Sequence, residues 1–490
     1  MDTRTPSSQT TGPGNDPAHA GPDQNPCHCP AAPAGKVVAL GQTFLKTVRH
    51  FFPEFSAWLD QLPDTRYVPL IEYDQRFLAW WGILLFSLGL GSRRAADQDL
   101  RDLECAILDN FNRLAGTDQD SLPVAKTLDH FLGHVGSQPF AQLRYQCMQR
   151  LLRMKALDDF RLQGDFVVAV DGTGLMSFSH RHCAQCLTQK HASGTVFLHP
   201  VLEAKLLSGT GLALSLASEF IENPPGATLE DYQTIKQDCE LKAFDRLALS
   251  LKAAFPQLHL CLSGDSLYAC GRFFAGCQQH HWHFVVTFKE GRLPDLWREF
   301  QSLLALQPQT QLQTLLPGGT RQRFRWVEQL DYIDSAERAW TLGAIQCEET
   351  SPTGEHTTFA WLTNLAVNRQ TVMDIAQGGG RIRVKIENEG FNVQKNSGLN
   401  LEHVFSQNWE HAKAYYYLLQ IGHLLMQLLH HNSLHRALAQ HYGQTTVLGL
   451  WGALKKIPQR LLEALRYYGF ADADFEVERA RGCHIALDSS

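Results

Sequence analysis

The sequence has no excess of positive charge. It holds 44 lysines and arginines against 50 aspartates and glutamates, for a formal net charge of −6. This balance argues against a tail that binds nucleic acid by charge alone. It does not exclude a local basic groove, because a phosphate backbone responds to the electrostatic field of the region it touches.

Long apolar runs are also missing. The most apolar early stretch, Trp80–Gly91, is shorter than the roughly 20 residues that span a bilayer, and it predicts a buried helix. The N-terminus has neither the basic start nor the apolar segment of a secretion signal. The 12 cysteines follow no disulfide framework, so we expect reduced thiols, no membrane partner and a cytoplasmic protein.

The composition changes along the chain, and 490 residues predict more than one domain. Residues 1–36 are rich in Pro, Gly and Ser and predict a disordered tail. Residues 37–163 predict a helical, possible DNA-binding domain whose last helix is cationic, with Arg144, Arg150, Arg153 and Lys155. Strands and helices are then predicted at 164–288, the first part of a second domain. A strand-rich insertion follows at 289–368, the rest of that second domain at 369–432, and a helical C-terminal region at 433–490.

The order of strands within 164–288 is informative. Strands are predicted up to Asp171, at Thr195–Leu207 and at Leu212–Ile221, and a helix follows at Leu229–Ala254. Two more strands, Leu258–Ser263 and Trp282–Phe288, are separated by a helix. Three antiparallel strands followed by helix-linked parallel strands predict an α/β fold with a ribonuclease H-like sheet, whose first and fourth strands are adjacent.

Three acids stand out against this arrangement. Asp171 and Asp265 each close an apolar run, and Glu387 lies in a later helical segment. Carboxylates at the ends of buried strands can hold divalent metals, although a single Asp there is commonly a turn or helix cap. Glu389 competes with Glu387, but the two point about 200° apart on an α-helix. Arg383, one turn before Glu387, favours Glu387.

The motifs VDGTG at Asp171, GDSLYA at Asp265 and RVKIENE at Arg383–Glu389 together resemble those of DDE-type bacterial insertion-sequence transposases of the cut-and-paste class, over roughly residues 146–431. That family usually has a Tyr three residues before the Arg and a Lys seven residues after the Glu. Here these positions hold Gly380 and Gln394, and Lys395 follows.

The resemblance implies a catalytic triad of Asp171, Asp265 and Glu387 that holds two Mg²⁺ ions, with Mn²⁺ as a possible substitute. It also implies cleavage of element ends and joining of the 3′-OH to target DNA, performed by a homodimer or larger assembly on double-stranded DNA. The residues expected to contact DNA are Arg383, Lys385, Asn388 and Lys395. Two alternatives stay open: a metal-dependent nuclease on the same fold, and a domesticated or inactive transposase that only binds DNA.

A second candidate site lies in the segment SHRHCAQC. The segment holds His180, His182, Cys183 and Cys186, of which His180 and the two cysteines are the predicted ligands of a structural Zn²⁺, with His199 or Cys239 approaching from neighbouring elements. A reduced loop with two buried thiols is the favoured interpretation, because the segment supplies only part of a ligand set. Asp238 and Glu240, on the helix after the third strand, are expected to be solvated or ion-paired.

Overall fold

The structure is a computed structural model that describes residues 34–101, 106–192, 194–224, 236–475 and 483–486. The predicted tail lies outside the described residues up to position 33, and the first helix begins at Ala34. Seven helices precede the sheet: α1 (Ala34–Phe51), α2 (Phe55–Asp60), α3 (Gln75–Ser87), α4 (Arg93–Arg101), α5 (Ala106–Ala115), α6 (Ala125–Val135) and α7 (Gln138–Arg153).

The apolar stretch at Trp80 forms most of α3, as the sequence predicted. The side chain of Asp74 caps this helix by accepting a hydrogen bond from the backbone N–H of Arg76. Every residue from Phe77 to Ser87 is buried. Within the described residues, no helix combines the length and the apolar character needed to cross a membrane.

Of the four cations on which the expectation of a DNA-facing helix rested, Arg153 and Lys155 are exposed, but Arg144 is not. It is 1% exposed, and its guanidinium lies over the rings of Tyr145 and Tyr417. Its Nη1 donates to Ser215 Oγ at 3.0 Å and lies 3.9 Å from the buried carboxylate of Glu203. The arginine therefore fastens α7 to the sheet. The pattern of charges along the helix does not distinguish this buried role from a solvent-exposed one.

Eleven strands form one mixed sheet, which confirms the α/β class. The strands are β1 (Arg161–Leu162), β2 (Asp165–Phe178), β3 (Leu187–His191), β4 (Gly194–Leu207), β5 (Ala213–Phe220), β6 (Leu260–Gly264), β7 (His283–Thr287), β8 (Gln311–Leu315), β9 (Arg321–Ile333), β10 (Ala339–Thr350) and β11 (His356–Thr363). Helices α8 (Glu240–Ala254), α9 (Gly271–His280) and α10 (Pro294–Leu306) connect β5 to β6, β6 to β7 and β7 to β8.

The pairing of the first strands agrees with the predicted order. β4 pairs antiparallel with both β2 and β5, while β6 pairs in parallel with β2 and with β7. One difference concerns β2, which continues seven residues beyond Asp171 because the ladder with β4 extends to Phe178. The described part of the helix predicted at Leu229–Ala254 begins at Glu240, and positions 229–235 lie outside the described residues.

The strand-rich segment at 289–368 extends the same sheet. β11 pairs antiparallel with β7, and β10, β9 and β8 follow in order toward the edge. β-Strands β9 and β10 are the longest of this group and pair over nearly their whole length. The segment is therefore joined to the central strands by a continuous hydrogen-bonded ladder.

The remaining helices complete two apolar cores, a large one and a smaller one that includes Val372 of α11. They are α11 (Val372–Asp374), α12 (Asn392–Asn396), α13 (Trp409–His430), α14 (Ser433–His441), α15 (Val447–Trp451), α16 (Ile457–Tyr467) and α17 (Asp472–Phe475). Between α11 and α12 the chain stays helical but irregular, with π-helical turns at Ile375–Gly380 and Ile386–Phe391 and a 3₁₀ turn at Arg381–Arg383. Helix α13 is almost wholly buried and packs against α3, α6 and α7.

Candidate functional site

Asp171 and Asp265 lie side by side at one edge of the parallel pair β2 and β6. Ala169 is opposite Ser263 in that pair, and each aspartate follows two residues later. Their charges interact: burial raises the pKa of Asp171, and the neighbouring charge of Asp265 raises it further, against the lowering by Arg383. The end of the parallel β2–β6 ladder therefore brings together the two acids that are 94 positions apart in the sequence (265 − 171).

Asp265 has a structural role as well. Its side chain accepts a hydrogen bond from the backbone N–H of Leu267 at 2.8 Å and so caps the short 3₁₀ turn Ser266–Tyr268. One of its carboxylate oxygens is occupied in this way. The cap fixes the orientation of the side chain at the end of β6.

Arg383 joins the Glu-bearing segment to the first acid. Its Nη1 donates to Asp171 Oδ2 at 2.8 Å, and both side chains are about a quarter exposed, at 28% and 23%. The sequence interpretation had paired this arginine with Glu387. A second link is the hydroxyl of Ser263, which donates to the carbonyl of Gly379 at 2.7 Å and ties β6 to the same irregular helix.

Glu387 is exposed and lies on the π-helical turn Ile386–Phe391, which contacts β2, β4 and β5. Ile386 and Phe391 are buried and anchor the turn. In a π-helical turn each residue advances by somewhat less than the 100° of an α-helix, so Glu387 and Glu389 still point in nearly opposite directions. In the described part of the chain, Asp171, Asp265 and Glu387 are not gathered into a group whose ligand atoms all lie within 4.8 Å.

The other residues expected to contact DNA lie on the same segment. Asn388 is exposed, Lys385 Nζ lies 3.9 Å from Glu389 Oε1, and Lys395 Nζ lies 3.1 Å from Glu402 Oε1. All three stand within a dozen positions of Arg383. They give the helical segment beside Asp171 a polar outer surface.

Gln394, where the resembled family has a lysine, is fully buried. Its Nε2 donates to Gln420 Oε1 at 2.8 Å and contacts His423 Nδ1 at 3.0 Å. The ammonium of Lys205, on β4, donates to the same Gln420 oxygen at 3.1 Å. This buried polar network holds the Glu-bearing segment between the sheet and α13, and a lysine at 394 would add a second buried cation to it.

Glu240 also lies at this site, although the sequence favoured a solvated or ion-paired role over a place near the metals. It opens α8, and its carboxylate is so near β2 that a Cβ added to Gly172 would lie 2.6 Å from Glu240 Oε1. Tyr268 donates to Glu240 Oε2 at 3.4 Å. Burial raises the pKa of Glu240, and the charges of Asp171 and Asp265 raise it further.

The expectation for the KQDCE segment is therefore only half correct. Asp238 is ion-paired, with Arg246 Nη2 at 2.6 Å, whereas Glu240 faces the two aspartates. The glycine that follows Asp171 was the available signal, since a residue without a side chain permits the close approach of another group. Three mutually repelling carboxylates thus share the edge of β2 and β6 with the guanidinium of Arg383.

The loop between β2 and β3 forms a second cluster with β4. His182, Cys183, Cys186 and His199 place one potential ligand atom each within 4.8 Å of all the others. His180, which the sequence interpretation had included, is exposed and lies outside this group, as does the exposed Cys239. His199 does approach from β4, one of the two alternatives that the sequence left open.

No protein-family model matches this chain, and no curated protein sequence matches it.

Proposed function

We propose that this protein is a DDE-type DNA transposase that cleaves the ends of a mobile element and joins the 3′-OH to target DNA. The observation that carries the proposal is the adjacency of Asp171 and Asp265, each two residues beyond the last pair of the parallel β2–β6 ladder. Each lies in a motif that resembles those of the family, and the segment with Arg383 and Glu387 packs against β2.

The topology of the central strands supports the same proposal. The order β5-β4-β2-β6-β7 has three antiparallel strands followed by two parallel strands, and α8 and α9 form the crossovers. This is the order of a ribonuclease H-like sheet. In such a sheet the catalytic acids would lie at the ends of the first and fourth strands, here β2 and β6.

The residues fit divalent cations of the Mg²⁺ type. Carboxylate oxygens are the ligands that Mg²⁺ prefers, and Asp171, Asp265 and Glu387 would supply them. The repulsion among Asp171, Asp265 and Glu240 is offset in the described residues by one ion pair, from Arg383. A divalent cation would relieve the rest, as an opposite charge favours ionised carboxylates. Bound cations would stabilise the attacking and leaving oxygens of an in-line displacement at phosphorus.

The protein's own residues would position the reaction. Arg383 would hold Asp171 ionised and oriented, and the cap on Leu267 would orient Asp265. Lys385, Asn388 and Lys395 would contact the DNA beside the acids. In the first reaction a water attacks phosphorus and the 3′ oxygen leaves; in the second, that 3′-OH attacks a target phosphate and the target's own 3′ oxygen leaves. We propose a homodimer or larger assembly on paired ends.

The test uses a plasmid that carries the DNA flanking the gene, incubated with the full-length protein and Mg²⁺. Asp171→Asn, Asp265→Asn and Glu387→Gln are each expected to lower cleavage about a thousandfold or more, because lost charge stabilisation in the transition state amounts to several kcal/mol. Binding to the same DNA in a gel-shift assay should persist. The control variants Glu389→Gln and Asp238→Asn should cleave within a few-fold of the wild type.

Retained cleavage in Asp265→Asn would refute the proposed site. Loss of cleavage in Glu389→Gln but not in Glu387→Gln would move the third ligand to Glu389. Pre-cut ends separate the alternatives: joining to target supports a transposase, cleavage without joining indicates a nuclease, and binding without either reaction indicates a protein that retains only DNA binding.

A further inference from the structure

The cluster of two cysteines and two histidines has the spacing of a tetrahedral ligand set. Cys183 Sγ and Cys186 Sγ are 3.4 Å apart, and each lies 3.3 Å from His199 Nε2. His182 Nδ1 lies 3.2 Å from Cys186 Sγ. With Zn–S near 2.3 Å and Zn–N near 2.0–2.1 Å, ligand atoms around zinc stand about 3.3–3.8 Å apart. The four separations, 3.2–3.4 Å, lie close to the lower limit of this range, so small shifts of the side chains would admit the ion.

We propose that His182, Cys183, Cys186 and His199 bind one structural Zn²⁺ ion. Four protein ligands would close the coordination sphere, which is the arrangement of structural rather than catalytic zinc sites. Two thiolates would neutralise the charge of the ion. A neutral centre suits this location, since Cys186 and His199 are both 0% exposed.

The backbone of the loop is arranged to present both cysteines. Asn223 donates through Nδ2 to the carbonyls of Cys186 at 2.8 Å and of Ala184 at 3.3 Å. Arg181 donates to the carbonyls of Cys183 at 3.1 Å and of Ala184 at 2.7 Å. These bonds fix a tight turn between the cysteines from two sides, so the thiols converge without a disulfide between them.

The two histidine ligands come from different elements. His182 belongs to the loop, whereas His199 belongs to β4 and stacks on the indole of Trp409, with ring centroids 3.9 Å apart and planes at 25°. Trp409 is fixed in turn by its Nε1, which donates to Glu222 Oε2 at 2.6 Å. The stacking orients His199, whose Nδ1 has no hydrogen-bond partner among the described residues.

The ion would therefore fasten the loop to β4 and to the start of α13. This site is independent of the proposed DNA chemistry, because it uses none of the carboxylates at the edge of β2 and β6. In the β2–β4 ladder, His199 is opposite Met176 and Glu203 is opposite Asp171. Asp171 and Met176 are five residues apart on β2, roughly 16 Å. The zinc would therefore stabilise the β2–β4 pair at a distance from Asp171.

The first experiment measures the zinc content of the full-length reduced protein, purified from zinc-supplemented cells without chelators. We expect about one zinc ion per chain for the wild type. Cys183→Ser, Cys186→Ser and His182→Ala should each lower the content at least about tenfold. His180→Ala and Cys239→Ser are matched controls, because each removes a neighbouring residue of the same type outside the cluster, and both should keep the wild-type content.

The second experiment needs only the wild type and so does not depend on the folding of variants. Zinc is removed with a chelator under reducing conditions, and the protein is titrated with Co²⁺. We expect the visible absorption of tetrahedral Co²⁺ and a thiolate charge-transfer band, both saturating at about one equivalent. Re-addition of Zn²⁺ should raise the unfolding temperature.

Three results would overturn the proposal. The first is a reduced wild-type protein that holds no zinc and gives no thiolate band with Co²⁺. The second is a loss of zinc in His180→Ala as large as that in His182→Ala. The third is a disulfide between Cys183 and Cys186 in protein isolated anaerobically with zinc present.

Discussion

A glycine in β2 allows the placement of Glu240 to be tested without any assumption about function. The nearest atoms to a Cβ built on Gly172 are all from Glu240: Oε1 at 2.6 Å, Cδ at 2.8 Å and Cγ at 3.3 Å. Two of these distances are below the closest contacts that real Cβ atoms make. Gly172→Ala must therefore push the Glu240 carboxylate away from β2, although the burial and the Tyr268 hydrogen bond hold it there.

Two opposing effects determine how much Gly172→Ala changes the free energy of unfolding. Replacing glycine by alanine in a strand without strain stabilises by about 0.4–1 kcal/mol, mainly because the unfolded chain loses freedom. Forcing one extra methyl group into a packed site costs about 1–3 kcal/mol. We expect Gly172→Ala to destabilise the wild type by roughly 1–2 kcal/mol on balance. In a Glu240→Ala background the clash is absent, so the same substitution should be neutral or stabilising.

The assay is a double-mutant cycle on the full-length protein, read as the change in the midpoint of thermal or urea unfolding. The sign of the Gly172→Ala effect should reverse between the two backgrounds, with a coupling energy of about 1–3 kcal/mol. Gly174→Ala is the matched control: it lies on the same strand, and nothing is within 4 Å of its added Cβ. Equal destabilisation by Gly172→Ala in both backgrounds would refute the placement of Glu240 against β2.

Two further predictions concern buried charge. Because burial and the charges of Asp171 and Asp265 raise the pKa of Glu240, its contribution to stability is full when it is protonated and is lost as the pH rises through the folded-state pKa. Glu240→Gln should therefore unfold at a higher temperature than the wild type at neutral pH, and the gap should close toward acidic pH; a gap that widens in acid would contradict this. Arg144→Met should destabilise by about 3–5 kcal/mol, because it leaves Glu203 buried with less compensation. Arg153→Met, at an exposed position of the same helix, should change stability by less than about 0.5 kcal/mol, and equal effects of the two would refute the buried role.

The central strands could be predicted because their signal is local. β4, β5, β6 and β7 are short apolar runs bounded by turn residues, and each was placed within a few residues of its observed limits. The continuation of β2 past Asp171 could not be predicted in this way. It depends on pairing with β4, which supplies hydrogen-bond partners for a segment with two glycines.

The site needed information that the sequence distributes over distant positions. Glu240 reaches Asp171 only because α8 begins above β2, and no spacing in the chain encodes that approach. The cluster includes His182 and not His180 because hydrogen bonds from Asn223 and Arg181 shape the loop. A loop has no periodicity from which the direction of each side chain could be predicted. The choice of Glu387 over Glu389 stays a prediction, and the spacing to Arg383 on which it relied did not reveal that this arginine pairs with Asp171.

One strand, β4, connects the three clusters of polar residues in this part of the protein. His199 belongs to the cysteine–histidine cluster, Glu203 accepts from Ser218 and Tyr416 beneath the helices, and Lys205 bonds Gln420 beside the Glu-bearing segment. All three lie on the same face of the strand, because the positions 199, 203 and 205 differ by even numbers of residues. A strand that is merely part of a core would place apolar residues at such positions. These polar groups are fully buried, and each has a partner on α13: Trp409, Tyr416 and Gln420. The register of β4 is therefore specified to within one residue, and β2, which pairs with it, is fixed with Asp171 beside the end of the parallel ladder.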